Sequence, residues 1–346
     1  MTKVIDLQPG DRILISRTDR LGDLILALPF VETIKERYPE CRVDVISSLY
    51  ASPILENNRR IDKILRVQND QLLINKLYKK DLFQKIRQEK YKAVIVLHPE
   101  RQISGMFFKA EIPIRIGTAG RFHSVLFNTR LMHSRRQNLK HEFEYNLDFL
   151  RFFRRGRTIR SPRVYLREKE TSHARRILDE AGVKGDFVVL HPGSGGSAER
   201  WPVENFIKLY SLLERERVEL VISGSDPEGE LIDEVSKRLA IPVRKITGET
   251  DLRTLAAVLS LARVVVANST GPLHLAVAVG TIGVGLYPSR KAMSPLRWGP
   301  LGRDDRVIQP TGIECQCPAG RCICMEMIKP GQVMREVMDV MGQKVG

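Results

Sequence analysis

The sequence predicts an α/β protein made of two Rossmann-like αβα units. Three observations carry that expectation. Short apolar, β-branched runs alternate with segments of helical period in both halves of the chain, which is the rhythm of parallel strands joined by crossover helices. Several of these runs end in turns that are rich in glycine or bear a carboxylate, at the position where open parallel sheets bind their ligands. A length of 346 residues, with 42% hydrophobic and 28% charged residues, is enough for two buried cores and excludes a disordered or fibrous chain.

The first unit is read from a strand at 12–16, a helix at 22–38, a strand at 42–47, a helix at 79–89 and a strand at 93–97. The second repeats the pattern with a strand at 186–191, a helix at 203–214, a strand at 219–223 and a helix at 227–239. It continues with a helix at 255–261, a strand at 264–267 and a helix at 272–279. Residues 151–163 are rich in arginine, include Pro162 and show no period, so they are the expected linker, with the boundary near residue 160. The expected domains are therefore 1–160 and 161–330, followed by a closing helix within 331–346, with Pro330 at its start and Val333, Val337 and Val340 at helical spacing.

The longest uncharged stretch, 264–289, contains Asn268, Pro272, His274 and four glycines. It falls short of the roughly 20 continuous apolar residues of a membrane span. The N-terminus runs straight into a strand-like segment without a signal core, so a cytoplasmic protein is expected. Five cysteines, four of them within 315–324, fit a reducing compartment better than a secreted disulfide scaffold. The net charge of +15 is one-sided: residues 1–165 carry 32 basic and 18 acidic side chains, and the other 181 residues carry 24 and 23. Such a field attracts an anionic partner: nucleic acid, an acidic membrane surface or a phosphorylated substrate.

The first strand leads into Arg17-Thr18-Asp19-Arg20-Leu21-Gly22-Asp23 and then an apolar helix. Two readings fit Asp23: a carboxylate that complements the helix N-terminus, or a general base in the cleft between the units. Asp19 reads as a loop charge. The second unit opens with His191-Pro192-Gly193-Ser194-Gly195-Gly196-Ser197, followed by Glu199-Arg200-Trp201-Pro202. That loop either turns the chain or brings backbone N–H groups to phosphate oxygens, with Arg200 adding a charged contact.

Asn268-Ser269-Thr270-Gly271-Pro272-Leu273-His274 follows another β-branched run and opens an apolar helix. First-turn N–H groups, the helix dipole and the Ser269 and Thr270 hydroxyls make an anion site there. Two phosphate-competent turns in one unit suggest a diphosphate. His274 fits either a packed histidine or a ligand contact. Thr247-Gly248-Glu249-Thr250-Asp251-Leu252 is either a turn with a helix cap or part of a nucleoside pocket with Ser223-Gly224-Ser225-Asp226. Cys315, Cys317, Cys322 and Cys324 supply four thiols, the number in a tetrahedral zinc site. Their spacing is not the usual C-x2-C, so uncomplexed thiols are the other reading, and no catalytic metal is expected.

Taken in order, these motifs resemble those of the ADP-heptose:lipopolysaccharide heptosyltransferases, glycosyltransferase family 9 of the GT-B fold. The likeness spans almost the whole chain: the Asp19–Asp23 turn followed by Pro29, Arg115-Ile116-Gly117, Lys140-His141-Glu142, the His191–Ser194 loop with Trp201-Pro202, Asn268 to Ala276, and the cysteine cluster before Ile328-Lys329-Pro330. The resemblance implies two Rossmann-like domains facing an interdomain cleft. It also implies an inverting transfer of heptose from ADP-heptose to a lipopolysaccharide core or Kdo-lipid A acceptor, with no metal and no cofactor.

By that likeness Asp23 is the general base, and Ser194, Gly195, Arg200, Gly248, Ser269, Thr270, Gly271 and His274 bind the donor. Arg20, Arg121, Lys140 and His141 bind the acceptor. In enzymes of this class the N-terminal domain receives the acceptor, so the basic half suits a phosphorylated glycolipid at the inner membrane surface. Arg59, Arg60, Arg135 and Arg136 join Arg121 and Lys140 as candidates for that surface, against the reading of a solvated basic face. The protein is then cytoplasmic and peripheral on that membrane.

The chain departs from the family pattern in two places. Glu199 stands where many members have a basic residue, and Ser269 where many have an aspartate associated with the donor sugar, which leaves the transferred sugar open, a hexosamine included. A noncatalytic nucleic-acid-binding protein is the rival of another class, but aromatics are only 6% of the chain and no such binding motif is present. A dinucleotide oxidoreductase lacks its G-x-G-x-x-G turn.

Overall fold

The computed structural model describes residues 4–120, 122–196, 198–225, 228–239, 243–246, 251–302, 305–312, 315, 317 and 322–342. The chain divides into two compact units, Met1–Pro162 and Arg163–Gly346.

The first unit runs β1 (Arg12–Arg17), α1 (Leu21–Ile25), α2 (Leu28–Arg37), β2 (Arg42–Ser48), β3 (Lys63–Val67), α3 (Gln71–Ile74), α4 (Lys76–Gln88), β4 (Ala93–Val96), α5 (Arg101–Lys109), β5 (Ile114–Thr118), β6 (Thr129–Leu131) and α6 (Glu142–Leu147). Its six strands are all parallel, in the order β3-β2-β1-β4-β5-β6. Ile13, Leu14 and Ile15 of β1 and every residue of β4 are fully buried. Helices cover both faces of a parallel sheet, which is why its central strands are continuous apolar runs without alternation.

The second unit runs α7 (Glu168–Glu180), β7 (Phe187–His191), α8 (Val203–Arg215), β8 (Glu219–Ser223), α9 (Gly229–Leu239), β9 (Lys245–Ile246), α10 (Leu252–Leu261), β10 (Val264–Asn268), α11 (Gly271–Ala278), β11 (Ile282–Leu286), α12 (Pro295–Trp298), β12 (Arg306–Ile308) and α13 (Pro330–Met341). Its sheet repeats the first, parallel throughout and ordered β12-β11-β10-β7-β8-β9. In each unit the strand order reverses at the centre, between β1 and β4 and between β7 and β10. Ligands of open α/β sheets bind outside the carboxyl ends of the strands at such a switch point. The terminal helix α13 is part of this unit, with Val333, Val337 and Met338 in one core with Phe206 and Leu209 of α8.

Three expectations change. The helix expected over 22–38 is two helices, because Pro29 cannot donate to the Ile25 carbonyl and its ring crowds it. The strands β3, β5, β6, β9, β11 and β12 were not foreseen: Lys63 and Arg66 interrupt the apolar residues of β3, β12 has three residues and β9 two, and β11 carries Gly283 and Gly285. The arginine-rich segment is no loose tether. The Arg37 guanidinium donates to the carbonyls of Arg154, Gly156 and Arg157 at 3.0–3.2 Å and to the Thr158 hydroxyl at 2.7 Å. The Ile159 N–H donates to Thr33 Oγ1 at 2.9 Å, so this stretch is laced onto α2. Among the described residues no helix is long and apolar enough to cross a membrane.

Candidate active site

At the carboxyl end of β1 the chain buries a charge. Arg17, 2% exposed, ends a strand whose register partner is Ser47 on β2. Its guanidinium gathers three carboxylates: Nε donates to Asp19 Oδ1 at 2.7 Å, Nη1 lies 3.3 Å from Glu142 Oε1, and Nη2 donates to Asp23 Oδ1. Nη1 also donates to Asn146 Oδ1 at 3.1 Å. Arg135 adds a second cation, with Nε 3.2 Å from Glu142 Oε1 and Nη2 donating to the Leu97 carbonyl at 3.3 Å. His98 Nδ1 stands 3.6 Å from Asp19 Oδ2.

Burial opposes the charge on Arg17, yet Asp19, Asp23 and Glu142 outweigh it and hold the guanidinium protonated. Burial is also the largest influence on Asp23. Together with the negative charges of Asp19 and Glu142 it outweighs Arg17 and His98, and the Asp23 carboxyl is pushed up to about 6. Asp19 is raised as well, by burial against the pull of Arg17. A carboxyl poised near neutrality in a polar, partly open position is what general-base work requires. Asp23 also lies in the first turn of α1, so the helix-dipole reading and the base reading are compatible.

The residues read as acceptor contacts have these places. Arg20 is exposed and is the N-cap of α1. Lys140 Nζ forks onto Asp148 at 2.9 and 3.0 Å. His141 is buried and caps α6: its Nδ1 accepts the Phe143 N–H at 3.3 Å, and its own N–H donates to Glu144 at 3.1 Å. The structural task of His141 is thus to fix the helix that presents Glu142 and Asn146 to Arg17. Arg60 pairs with Glu36 at 3.3 Å on the surface, and Arg59 is exposed. Arg121 lies outside the described residues.

In the second unit a polar lattice sits at the ends of β7, β8 and β10. Asn268, fully buried, accepts the Trp201 N–H at 2.8 Å and donates to the carbonyls of Pro192 and Gly193 at 3.0 and 3.3 Å. One side chain so clamps the glycine-rich loop to the segment after it. Gly195 and Gly196 adopt left-handed φ of +49° and +69°, which suits glycine. Ser194 is buried and Arg200 exposed.

The Gly195 N–H has a partner within the second unit. It donates to Glu228 Oε1 at 3.1 Å. The other Glu228 oxygen accepts from the Ser225 N–H and hydroxyl at 3.0 and 2.8 Å and lies 3.7 Å from His191 Nε2. Burial opposes the Glu228 charge, but His191 and these donors hold its carboxyl below the usual range. Burial lowers the His191 pKa despite Glu228, and His191 Nδ1 is 3.1 Å from Ser223 Oγ.

At the end of β10, Thr270 is the buried N-cap of α11 and its hydroxyl donates to the Asn268 carbonyl at 3.1 Å. Gly271 is the first helical residue. His274 is buried within the helix, and Ser269, half-buried, lies between β10 and α11. The described part of the 247–252 segment contains the cap: Asp251 Oδ1 accepts the Thr254 N–H at 2.7 Å. Gly248 lies outside the described residues. Ser269, Thr270 and Gly271 therefore stand together at one switch point, and Arg17, Asp19 and Asp23 at the other.

The sequence reading passed over Arg17, Glu142, Asn146, Glu228 and Asn268 as functional residues. For Asn268 a signal existed, because it is the polar residue closing an otherwise apolar strand, and Arg17 closes β1 just beyond the apolar run Ile13-Leu14-Ile15 and Ser16. For Glu142, Asn146 and Glu228 none did, because their partners lie 125, 129 and 33 residues away in sequence.

Comparison with known proteins adds to this geometry. Residues 80–323 match glycosyltransferase family 9 (heptosyltransferase). A Haemophilus influenzae protein provisionally named a glycosyltransferase is 28% identical over 323 residues, covering 88% of this chain and 91% of that one. The crystal structure of a family 9 glycosyl transferase from Veillonella parvula superposes with a TM-score of 0.86 at 19% identity, covering 98% of this chain and 99% of the other. The structure of Escherichia coli ADP-heptose lipopolysaccharide heptosyltransferase II superposes with a TM-score of 0.78 at 21% identity, covering 95% and 98%. The two six-stranded parallel units share their GT-B fold class.

Proposed function

This chain belongs to glycosyltransferase family 9, the heptosyltransferase family, and from that premise we propose that it transfers heptose from ADP-heptose to the inner core of lipopolysaccharide, with inversion at the sugar. The names of its structural relatives support the donor and acceptor classes. The basic N-terminal half supports a phosphorylated glycolipid acceptor and peripheral contact with an anionic cytoplasmic membrane face.

The observation that carries the reading is the Asp23 carboxyl, raised to about 6 beside the buried Arg17. Asp23 accepts the proton of the acceptor hydroxyl as that oxygen bonds to the anomeric carbon. The bond from that carbon to the diphosphate breaks, and ADP leaves with the electron pair. The raised pKa keeps Asp23 ionised at neutral pH yet basic enough to take the proton. Arg17 stays charged throughout and holds the carboxylate in place.

The departing diphosphate gains negative charge, and the groups proposed to meet it are the N–H groups at Thr270 and Gly271, the Ser269 hydroxyl, Ser194 and the exposed Arg200. Oriented donors of this kind stabilise a leaving group without reorganising during the reaction. Glu228, in the loop between β8 and α9, is proposed to meet the ribose, the role an acidic residue after the second strand takes in Rossmann-type sheets. With Gly195 engaged by Glu228, the loop contributes shape more than its own amide.

The donor is tested by incubating the purified protein with ADP-heptose and with UDP-sugars and a Kdo-lipid A acceptor, then identifying released nucleotide and product by mass spectrometry. Release of ADP with a heptose-sized mass gain on the acceptor is expected. UMP- or UDP-linked turnover alone would refute the donor.

A further inference from the structure

The four clustered thiols of the second unit take no part in the transfer just described. We infer that Cys315, Cys317, Cys322 and Cys324 form a structural zinc site that holds one Zn²⁺ per chain. Their four Sγ atoms all lie within 4.8 Å of one another. Cys315 and Cys322 approach to 3.4 Å, and Cys317 and Cys324 to 3.7 Å.

A tetrahedron with zinc–sulfur bonds of about 2.3 Å has sulfur–sulfur edges of about 3.8 Å, close to these separations. A disulfide requires about 2.05 Å, and all four cysteines are free thiols. The sulfurs are too close together to surround a multi-iron cluster, whose irons and sulfides lie between the ligands. Four soft thiolates in tetrahedral array select zinc over hard cations such as magnesium. Each ligating thiol releases its proton to solvent, so Zn²⁺ and four thiols give a dianionic centre and four protons.

The surroundings suit that charge and a structural role. The Arg290 guanidinium, which donates to the Cys317 carbonyl at 2.7 Å and sits 3.4 Å from Glu199, places a cation beside the dianion. Buried Cys324 enters a short 3₁₀ turn, Ile323–Met327, whose Met325 is fully buried in the core. Just beyond it the Ile328 carbonyl accepts Trp201 Nε1 at 3.0 Å. The ion therefore anchors the segment on which Trp201 rests.

The test uses the full chain purified without added metal or chelator. Elemental analysis is expected to find one zinc per chain, released when a mercurial titrates the thiols in the presence of a zinc-sensitive dye. Exchange for Co²⁺ is expected to give thiolate-to-metal charge-transfer bands and the visible bands of tetrahedral cobalt. The Cys317→Ser/Cys324→Ser variant should lose the metal and melt at lower temperature. If that variant does not fold, the release and cobalt spectra of the parent decide alone. Metal-free protein with four titratable thiols, two disulfides, or zinc retained in the double variant would overturn the site. Iron in place of zinc would overturn the choice of ion.

Discussion

Arg17 donates through Nη2 to Asp23 Oδ1 while being almost wholly buried, so one cation sets the electrostatics of three carboxylates. Removing it leaves Asp19, Asp23 and Glu142 close together, with Arg135 beside Glu142 and His98 beside Asp19. Arg17→Met is expected to cost about 3–5 kcal/mol of stability, the usual result of breaking a buried ion pair from one side. Denaturant unfolding measures that loss. In any folded fraction the acidic limb of the pH–rate profile should move to higher pH, because Asp23 loses the partner that lowers its pKa.

His141 separates a cap from an acceptor contact. As the cap of α6 it should cost about 0.5–2 kcal/mol when replaced by alanine, measured by thermal or denaturant unfolding. His141→Asn, a good cap, should recover most of that stability and also most of the activity. Restored stability with activity still lost would show instead that the ring touches substrate.

Asn268 meets the Trp201 N–H and two loop carbonyls. Asn268→Leu leaves a buried N–H without its acceptor, at a cost of about 1–3 kcal/mol. Isothermal titration should also show weaker ADP binding, since the glycine-rich loop is no longer clamped to the Trp201 segment.

Glu228 and Gly193 form a matched pair, because a Cβ at residue 193 would collide with the Glu228 carboxylate. Gly193→Ala and Glu228→Ala should both weaken ADP binding, by about tenfold for the loss of one charge-assisted hydrogen bond. The double variant should do little worse than either single one, as expected for coupled residues. Titration of the four proteins with ADP completes the cycle.

How far the molecule could be read from its sequence follows the range of each signal. The strands at the centres of both sheets were legible because burial on both faces turns β1, β4, β7 and β10 into unbroken apolar runs. Edge strands such as β3 and β12, half exposed and short, carry no such mark, and Pro29 broke a helix whose apolar period continues through it. Asp23, Ser269 and Thr270 were legible because strand-to-helix turns place their residues at sheet ends. The partners that tune them were not: Glu142 reaches Arg17 across 125 residues of sequence, and Glu228 reaches Gly195 across 33. Gly195 shows the consequence, since a loop that reads as an open phosphate cradle has an internal carboxylate on its amide.

The most direct test of Asp23 is Asp23→Asn, followed by ADP titration, single-turnover transfer and unfolding as functions of pH. The carboxyl is raised from 3.8 to about 6 in the fold, so its contribution to stability is complete below pH 4 and is lost as the pH rises through 6. The asparagine variant should therefore be at least as stable as the parent at neutral pH, bind ADP with parental affinity and lose transfer by about 10²–10⁴-fold. In the parent, kcat/KM should fall as the pH drops below about 6, and that limb should vanish from the variant's residual rate. Transfer at near-parental rate, or the same acidic limb in Asp23→Asn, would contradict the assignment of Asp23 as the base.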